Sequence, residues 1–320
     1  MNLPRVKLAA LPTPIEALPA LSAYLGGPQL LVKRDDLTGL GGGGNKVRKL
    51  ELLIAEAQAN GAKQLITTGA AQSNHCRQTA AAAARMGYSC HLVLVRYPGG
   101  SQGGNLLLDD LFGAEITWCE QEERDMVLKQ VFDSEWQAGE RPYLIPYGGS
   151  SPTGAAAYVL AFDELISQGL SPDAIVFPSS SGGTQAGLVL GARKHGSRVR
   201  IIGISVDEPG ENLQEKVANL ANAASERLLL GEEIKPGEVQ VEDGYLGGGY
   251  GVVSNLERDA IRLFARQEGL LLDPVYTGRA AGALIDMIRK GVFKAGEQVL
   301  FWHTGGIPAI FASQYADTLI

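Results

Sequence analysis

The chain has 320 residues, 45% hydrophobic and 20% charged, which excludes a disordered polymer and suits one large or two linked globular domains. Its 28 Lys and Arg stand against 35 Asp and Glu, and the net charge of −7 argues against nucleic acid or an anionic membrane surface as the main partner. Cys76, Cys90 and Cys119 match no disulfide framework or zinc pattern, and the four histidines are scattered, so no metal is expected.

In chain order, the first predicted strand covers 29–33. A helix follows over 46–60, with apolar residues at 47, 50, 53, 54 and 57 on one face. A strand is predicted over 64–68, then an alanine-rich helix over 78–86 stopped by Gly87. Strands over 90–95 and 115–118 precede a helix over 154–168. The pattern continues with a strand over 174–177, a helix over 184–194 and a strand over 200–206. The acidic stretch 208–244, with Pro209, Gly210 and Pro236, reads as an irregular surface excursion. Helices over 256–267 and 278–290 and a strand over 298–302 complete the set. Apolar strands alternating with helices predict an α/β fold whose mostly parallel sheets are covered on both faces. No apolar run approaches the roughly 18 residues of a membrane-spanning helix. Residues 1–10 lack the basic and apolar segments of an export signal, so a cytoplasmic protein is expected.

Glycine is the unusual residue: 41 copies, nearly twice the average usage of about 7%. The copies cluster between apolar segments, where backbone must bend sharply or approach a ligand. The first cluster, Gly41-Gly42-Gly43-Gly44-Asn45-Lys46, opens the helix over 46–60. A nucleotide-binding P-loop needs Ser or Thr after the lysine, and Val47 stands there instead. Lys46 is thus a lysine at a helix N-terminus with Arg48 and Lys49 nearby. Dipole and positive neighbours both lower an amine's pKa and make it a better nucleophile.

The second cluster, Pro178-Ser179-Ser180-Ser181-Gly182-Gly183-Thr184, joins a strand to a helix and has the form of an anion cradle. A dinucleotide site is the rival, because Asp207 follows Gly187 by about 20 residues. Thr184, however, occupies the middle position of the Gly-x-Gly-x-x-Gly spacing, and the hydroxyls of Ser179, Ser180, Ser181 and Thr184 suit a terminal monophosphate. Further along lie Gln72-Ser73-Asn74-His75, which can cap a helix or hold a carboxylate, and Gly249-Tyr250-Gly251. Asp273-Pro274-Val275-Tyr276-Thr277 and His303-Thr304-Gly305-Gly306 end the series.

These segments, with Leu11-Pro12-Thr13-Pro14 and Lys33-Arg34-Asp35-Asp36, occur in the order seen in one family. The chain resembles the 1-aminocyclopropane-1-carboxylate deaminase and D-cysteine desulfhydrase family, within the tryptophan-synthase-β-like, fold type II pyridoxal-phosphate enzymes. The resemblance spans nearly the whole chain. It implies two three-layer α/β domains, a large one from 1–52 and 158–320 and a small one inserted over 53–157. It also implies a homodimer, a small amino-acid substrate and pyridoxal 5'-phosphate in the cleft.

By that resemblance Lys46 forms the Schiff base and serves as acid and base at the substrate Cα. Ser181, Gly182, Gly183 and Thr184 hold the phosphate, with Asn45, Thr304 and Gly305 completing the cofactor site. Asn74 meets the phenolic oxygen. Gln72, Ser73 and Asn74 receive the substrate carboxylate, and Tyr250 and Tyr276 flank its side chain. The family's cyclopropane deaminases carry Glu after the second tyrosine, facing the pyridine nitrogen, where this chain has Thr277. A neutral hydroxyl makes the ring a weaker electron sink than a carboxylate does. The chain therefore looks like the desulfhydrase branch, eliminating sulfide from D-cysteine to leave pyruvate and ammonia. An L-cysteate sulfo-lyase is the alternative, with Arg77 or Arg96 as partner for a second anion; a cyclopropane deaminase is another.

Overall fold

The computed structural model describes residues 3–98 and 100–319. Ten strands run in chain order: β1 (Ile15–Ala17), β2 (Gln29–Arg34), β3 (Gln64–Ala70), β4 (Ser89–Val95), β5 (Glu115–Cys119), β6 (Pro142–Leu144), β7 (Ala174–Ser179), β8 (Arg200–Ser205), β9 (Gln240–Glu242) and β10 (Gln298–His303). The principal helices are α1 (Pro19–Leu25), α2 (Lys46–Ala59), α3 (Asn74–Met86), α4 (Gly104–Leu111), α5 (Arg124–Ala138), α6 (Pro152–Ser167), α7 (Gly183–Lys194), α8 (Gly210–Leu228), α9 (Asn255–Glu268) and α10 (Thr277–Arg289).

The strands form two sheets, ordered β1-β2-β10-β7-β8-β9 and β5-β4-β3-β6. Within these two sheets every strand pairing is parallel except β1 with β2. Strand β7 shows why the larger sheet needs cover on both faces. Ala174 and Val176 pack with α1, α9 and α10 on one side, while Ile175 and Phe177 pack with α6 and α7 on the other. All six residues of β7 are buried, as the continuous apolar run predicts. The smaller sheet buries Leu65, Leu92 and Leu94 against Val47, Leu50 and Ile54 of α2 and the alanines of α3. Helix α5 covers its other face.

The expected boundaries at 52/53 and 157/158 fall inside α2 and α6. These two helices pack on each other, with Leu52 against Ala156 and Ala157. The stretch 208–244 departs from its reading as an irregular excursion: α8 fills half of it. Its Leu213, Val217, Ala218, Ala221 and Ala224 dock on α6 and α7. Pro209 is the helix N-cap residue and Gly210 its first helical residue, so the two supposed loop residues are its start. Helix α3 begins at Asn74, four residues before the predicted start at 78, because Ser73 caps it and Gly87 closes it in the left-handed conformation (φ 76). Among the described residues, no helix is long and apolar enough to cross a membrane. Cys76, Cys90 and Cys119 are free and buried.

Candidate active site

The carboxyl ends of β3, β7 and β10 point into one cavity between the two sheets. Its wall is formed by Asn45, Lys46, Ser73, Asn74, His75, Tyr147, Gly148, residues 178–182, Thr184, Tyr276 and Thr304. Segments far apart in sequence thus meet at Lys46, the first residue of α2.

The Lys46 pKa is lowered to about 8, chiefly by burial and against the opposing effects of Lys49 and Asp207. The expected help from Arg48 is absent. That side chain turns away and bonds Asp35 (2.8 Å) and Glu164 (2.8 Å). Lys49 turns inward instead, and its amine donates to the Gly148 carbonyl (3.1 Å) and Ser150 Oγ (3.3 Å). Burial, then the charge of Lys46, drives the Lys49 pKa well below its usual value.

The Ser-Gly turn leaves β7 and enters α7 through Gly182, whose φ of 80° requires glycine. Ser181 Oγ lies 2.8 Å from Ser150 Oγ, which accepts from the Gly183 amide (3.1 Å). Asn45 Nδ2 donates to Thr184 Oγ1 (3.1 Å), tying the lysine's helix to the turn. Ser179 Oγ lines the cavity and is buried without a protein partner. Asp207 accepts from Ser180 Oγ (2.7 Å), so it braces the turn where the dinucleotide reading needed it free for a ribose.

Ser73 both caps α3, accepting from the Cys76 amide (3.2 Å), and lines the cavity, so the two readings of it coexist. Asn74 stands beside it. Gln72 does not reach the wall. Its amide is consumed by Ser101 Oγ (2.9 Å), the Gly103 carbonyl (3.0 Å) and the Asn105 amide (2.7 Å), which leaves nothing for a substrate carboxylate. Tyr276 lines the cavity, and Tyr250 stands behind it with the hydroxyls 2.7 Å apart and the rings edge to face. Burial pushes both phenols well above their usual pKa and keeps them protonated donors.

Thr277 is not at the wall either. Its buried hydroxyl donates to Asp273 Oδ1 (2.7 Å) and accepts from the Asp273 amide (2.7 Å). Thr304 lines the cavity, and its carbonyl holds the Asn45 amide (2.9 Å). Gly183 and Gly305 lie behind the wall, where a Cβ on Gly305 would come within 2.6 Å of Gly44. Neither Arg77 nor Arg96 reaches the cavity. Arg77 donates to the Gly43 carbonyl (3.1 Å), and Arg96 pairs with Glu120 at the surface.

Two wall residues, Tyr147 and Gly148, escaped the sequence reading, and His75 and Lys49 were named there without a role in the site. Tyr147-Gly148-Gly149-Ser150-Ser151 is itself a glycine and serine burst after a strand, the same signal that exposed the other loops. His75 is buried and its pKa is driven well down, so it is neutral, with Nε2 2.9 Å from Thr67 Oγ1. Away from the cavity, His91, Glu115 and Glu135 come together, but both ring nitrogens of His91 already have partners in Glu135 (3.3 Å) and Thr117 (2.8 Å).

A profile of the pyridoxal-phosphate dependent enzymes matches residues 6–305. The chain belongs to the pyridoxal-phosphate dependent enzyme family. It is 43% identical to the D-cysteine desulfhydrases of Salmonella typhi and Salmonella newport (strain SL254), over 97% of this chain and 96% of each relative. A solved structure described as an ACC deaminase homologue superposes with a TM-score of 0.90 at 40% identity, covering 99% of this chain and 96% of that one. The donor set fits the cofactor of this family. An amine of lowered pKa faces a Ser-Gly turn at a helix N-terminus, with an orphaned buried Ser179 hydroxyl and the Lys49 amine close by.

Proposed function

We propose that this enzyme catalyses α,β-elimination of D-cysteine, or of a closely related small β-substituted amino acid, to pyruvate, ammonia and sulfide. One observation carries the reading: the cavity wall has no Asp or Glu, and Lys46 is its one cation. Opening a cyclopropane that lacks an α-hydrogen calls for a carboxylate at the pyridine nitrogen, and a sulfonate leaving group calls for a second cation. The wall offers neither. The desulfhydrase name of the 43% identical relatives points the same way.

When bound, pyridoxal phosphate supplies a covalent hold on the substrate amine and an electron sink for the charge left on Cα. The Ser181–Thr184 turn receives its phosphate, and the Lys49 amine is a hydrogen-bond donor behind it. Asn74 offers its amide to the phenolic oxygen. Thr304, which lines the cavity, would meet the ring nitrogen in the role expected of Thr277. Ser73 and the N-terminus of α3 receive the substrate carboxylate. Lys46, poised near neutrality by its pKa of about 8, removes the Cα proton. Tyr276, kept protonated and bonded to Tyr250, donates a proton to the departing sulfur. The aminoacrylate released then hydrolyses to pyruvate and ammonia. The resemblance adds a cytoplasmic homodimer to this reading, with the two sheets as the large and the inserted domain.

The test is a substrate panel on the holoenzyme. D-cysteine and β-chloro-D-alanine are expected to yield pyruvate, with sulfide from the former. Sulfite from L-cysteate or 2-oxobutyrate from 1-aminocyclopropane-1-carboxylate as the faster product would overturn the reading in favour of the sulfo-lyase or the deaminase.

A further inference from the structure

Asn105, the second residue of α4, is fully buried and does not itself line the cavity. Its Nδ2 donates to two oxygens at once, the backbone carbonyl of Gln72 (2.9 Å) and Oδ1 of Asn74 (2.9 Å). A backbone carbonyl can only accept, so it fixes which end of the Asn105 amide points toward this pair. The direction then passes on. With Oδ1 of Asn74 taken by a donor, the NH₂ end of Asn74 is the end left to the cavity. Turning Asn74 over would set two NH₂ groups against each other. The Gln72 side chain locks the arrangement by accepting from the Asn105 backbone amide (2.7 Å) and donating to Ser101 and Gly103.

We propose that Asn105 is a positioning residue that makes Asn74 a hydrogen-bond donor toward the phenolic oxygen of bound pyridoxal phosphate. The inference rests on the cofactor reading above. Its physical content is specific. A donor at that oxygen stabilises the ionised phenolate, whereas an acceptor stabilises the protonated phenol. The ionised form of the Lys46-linked cofactor absorbs in the visible and the phenol form in the near ultraviolet. The ratio of the two bands therefore reads the orientation of Asn74 without turnover. A residue that merely ties α4 to the loop before α3 would change thermal stability and leave this ratio alone.

The experiment compares the absorbance ratio, at one pH, in holoenzyme carrying no substitution, Asn105→Ala, Asn105→Asp, Asn74→Ala, and Asn74→Ala with Asn105→Ala. Asn105→Ala removes the donor and is expected to lower the visible to near-ultraviolet ratio at least about threefold, since hydrogen bonds to charged groups are strong. Asn105→Asp keeps the shape but accepts as a carboxylate; it turns Asn74 over and lowers the ratio further. Should Asn105→Ala fail to fold by circular dichroism, the isosteric Asp variant carries the test. In the Asn74→Ala background, Asn105→Ala is expected to change nothing more, because the two act through one contact. An unchanged ratio in folded, cofactor-loaded Asn105 variants, or an equal drop with Asn74 already removed, would overturn the proposal. Failure of the unsubstituted protein to develop a visible band would instead overturn the cofactor reading beneath it.

Discussion

Lys46 and Lys49 are one turn apart on α2, yet only one of them opens onto the cavity. Their amines interact, and burial depresses both. Only a neutral amine attacks an aldehyde. With the Lys46 pKa about 8 in place of the usual 10.5, the reactive fraction falls about tenfold per pH unit below that point. The rate at which the cofactor-free protein takes up pyridoxal phosphate is therefore expected to rise with pH and level off above about 8, read as growth of the visible band. A rate still climbing steadily to pH 10 would place the amine in an ordinary, solvated setting. The sequence showed that Lys46 sits at a helix start beside glycines. It could not show that Arg48 points away into the Asp35 and Glu164 pair while Lys49 points in, because that choice is made by distant partners. Thr277 stands off the wall for the same reason: Asp273 spends its carboxylate on the start of α10 and holds the Thr277 hydroxyl.

At the level of elements, glycines let helices close on each other where the sequence shows only helix-breaking residues. On α7, a Cβ at Gly187 would lie 2.2 Å from the Ala155 carbonyl and 2.4 Å from Tyr158 Cβ, and one at Gly191 would lie 2.5 Å from Phe162 Cβ. Both contacts are with α6. Gly187→Val is expected to pry α6 from α7 at a cost of about 3 kcal/mol or more, measured as a lower urea midpoint. A variant as stable as the parent would mean that the helices part freely. The longer strands and most amphipathic helices were legible because burial writes a period into them, whereas the three-residue strands β1, β6 and β9 are too short to show one. Helix α8 was missed despite its apolar spacing from Leu213 to Ala224, because charge and Pro209 hid it. Helix α5 buries none of its residues, so it leaves little period to read.

Across the whole molecule, the sheets are joined behind the cavity by a buried network. Arg48 of α2 binds Asp35 after β2 and Glu164 of α6; Lys33 and Tyr158 add bonds to the same two carboxyls. The arginine lowers both carboxyl pKa values from their ordinary 3.8 and 4.5. A folded-state value below the unfolded one means stability that is present at neutral pH and lost as pH falls through the carboxylate range. Arg48→Met leaves Asp35 buried and uncompensated, a loss of about 3–5 kcal/mol at pH 7. The gap between variant and parent in urea unfolding is expected to narrow by pH 4, as Asp35 of the variant takes up a proton. A gap independent of pH would remove the network from the stability of the fold.

The most direct measurement is chemical. Borohydride reduction of the loaded protein fixes the cofactor to whichever lysine carries it, and peptide mapping names that lysine. The label is expected on Lys46 alone. Label on Lys49, or on no lysine at all, would contradict the assignment from which every role around the cavity follows.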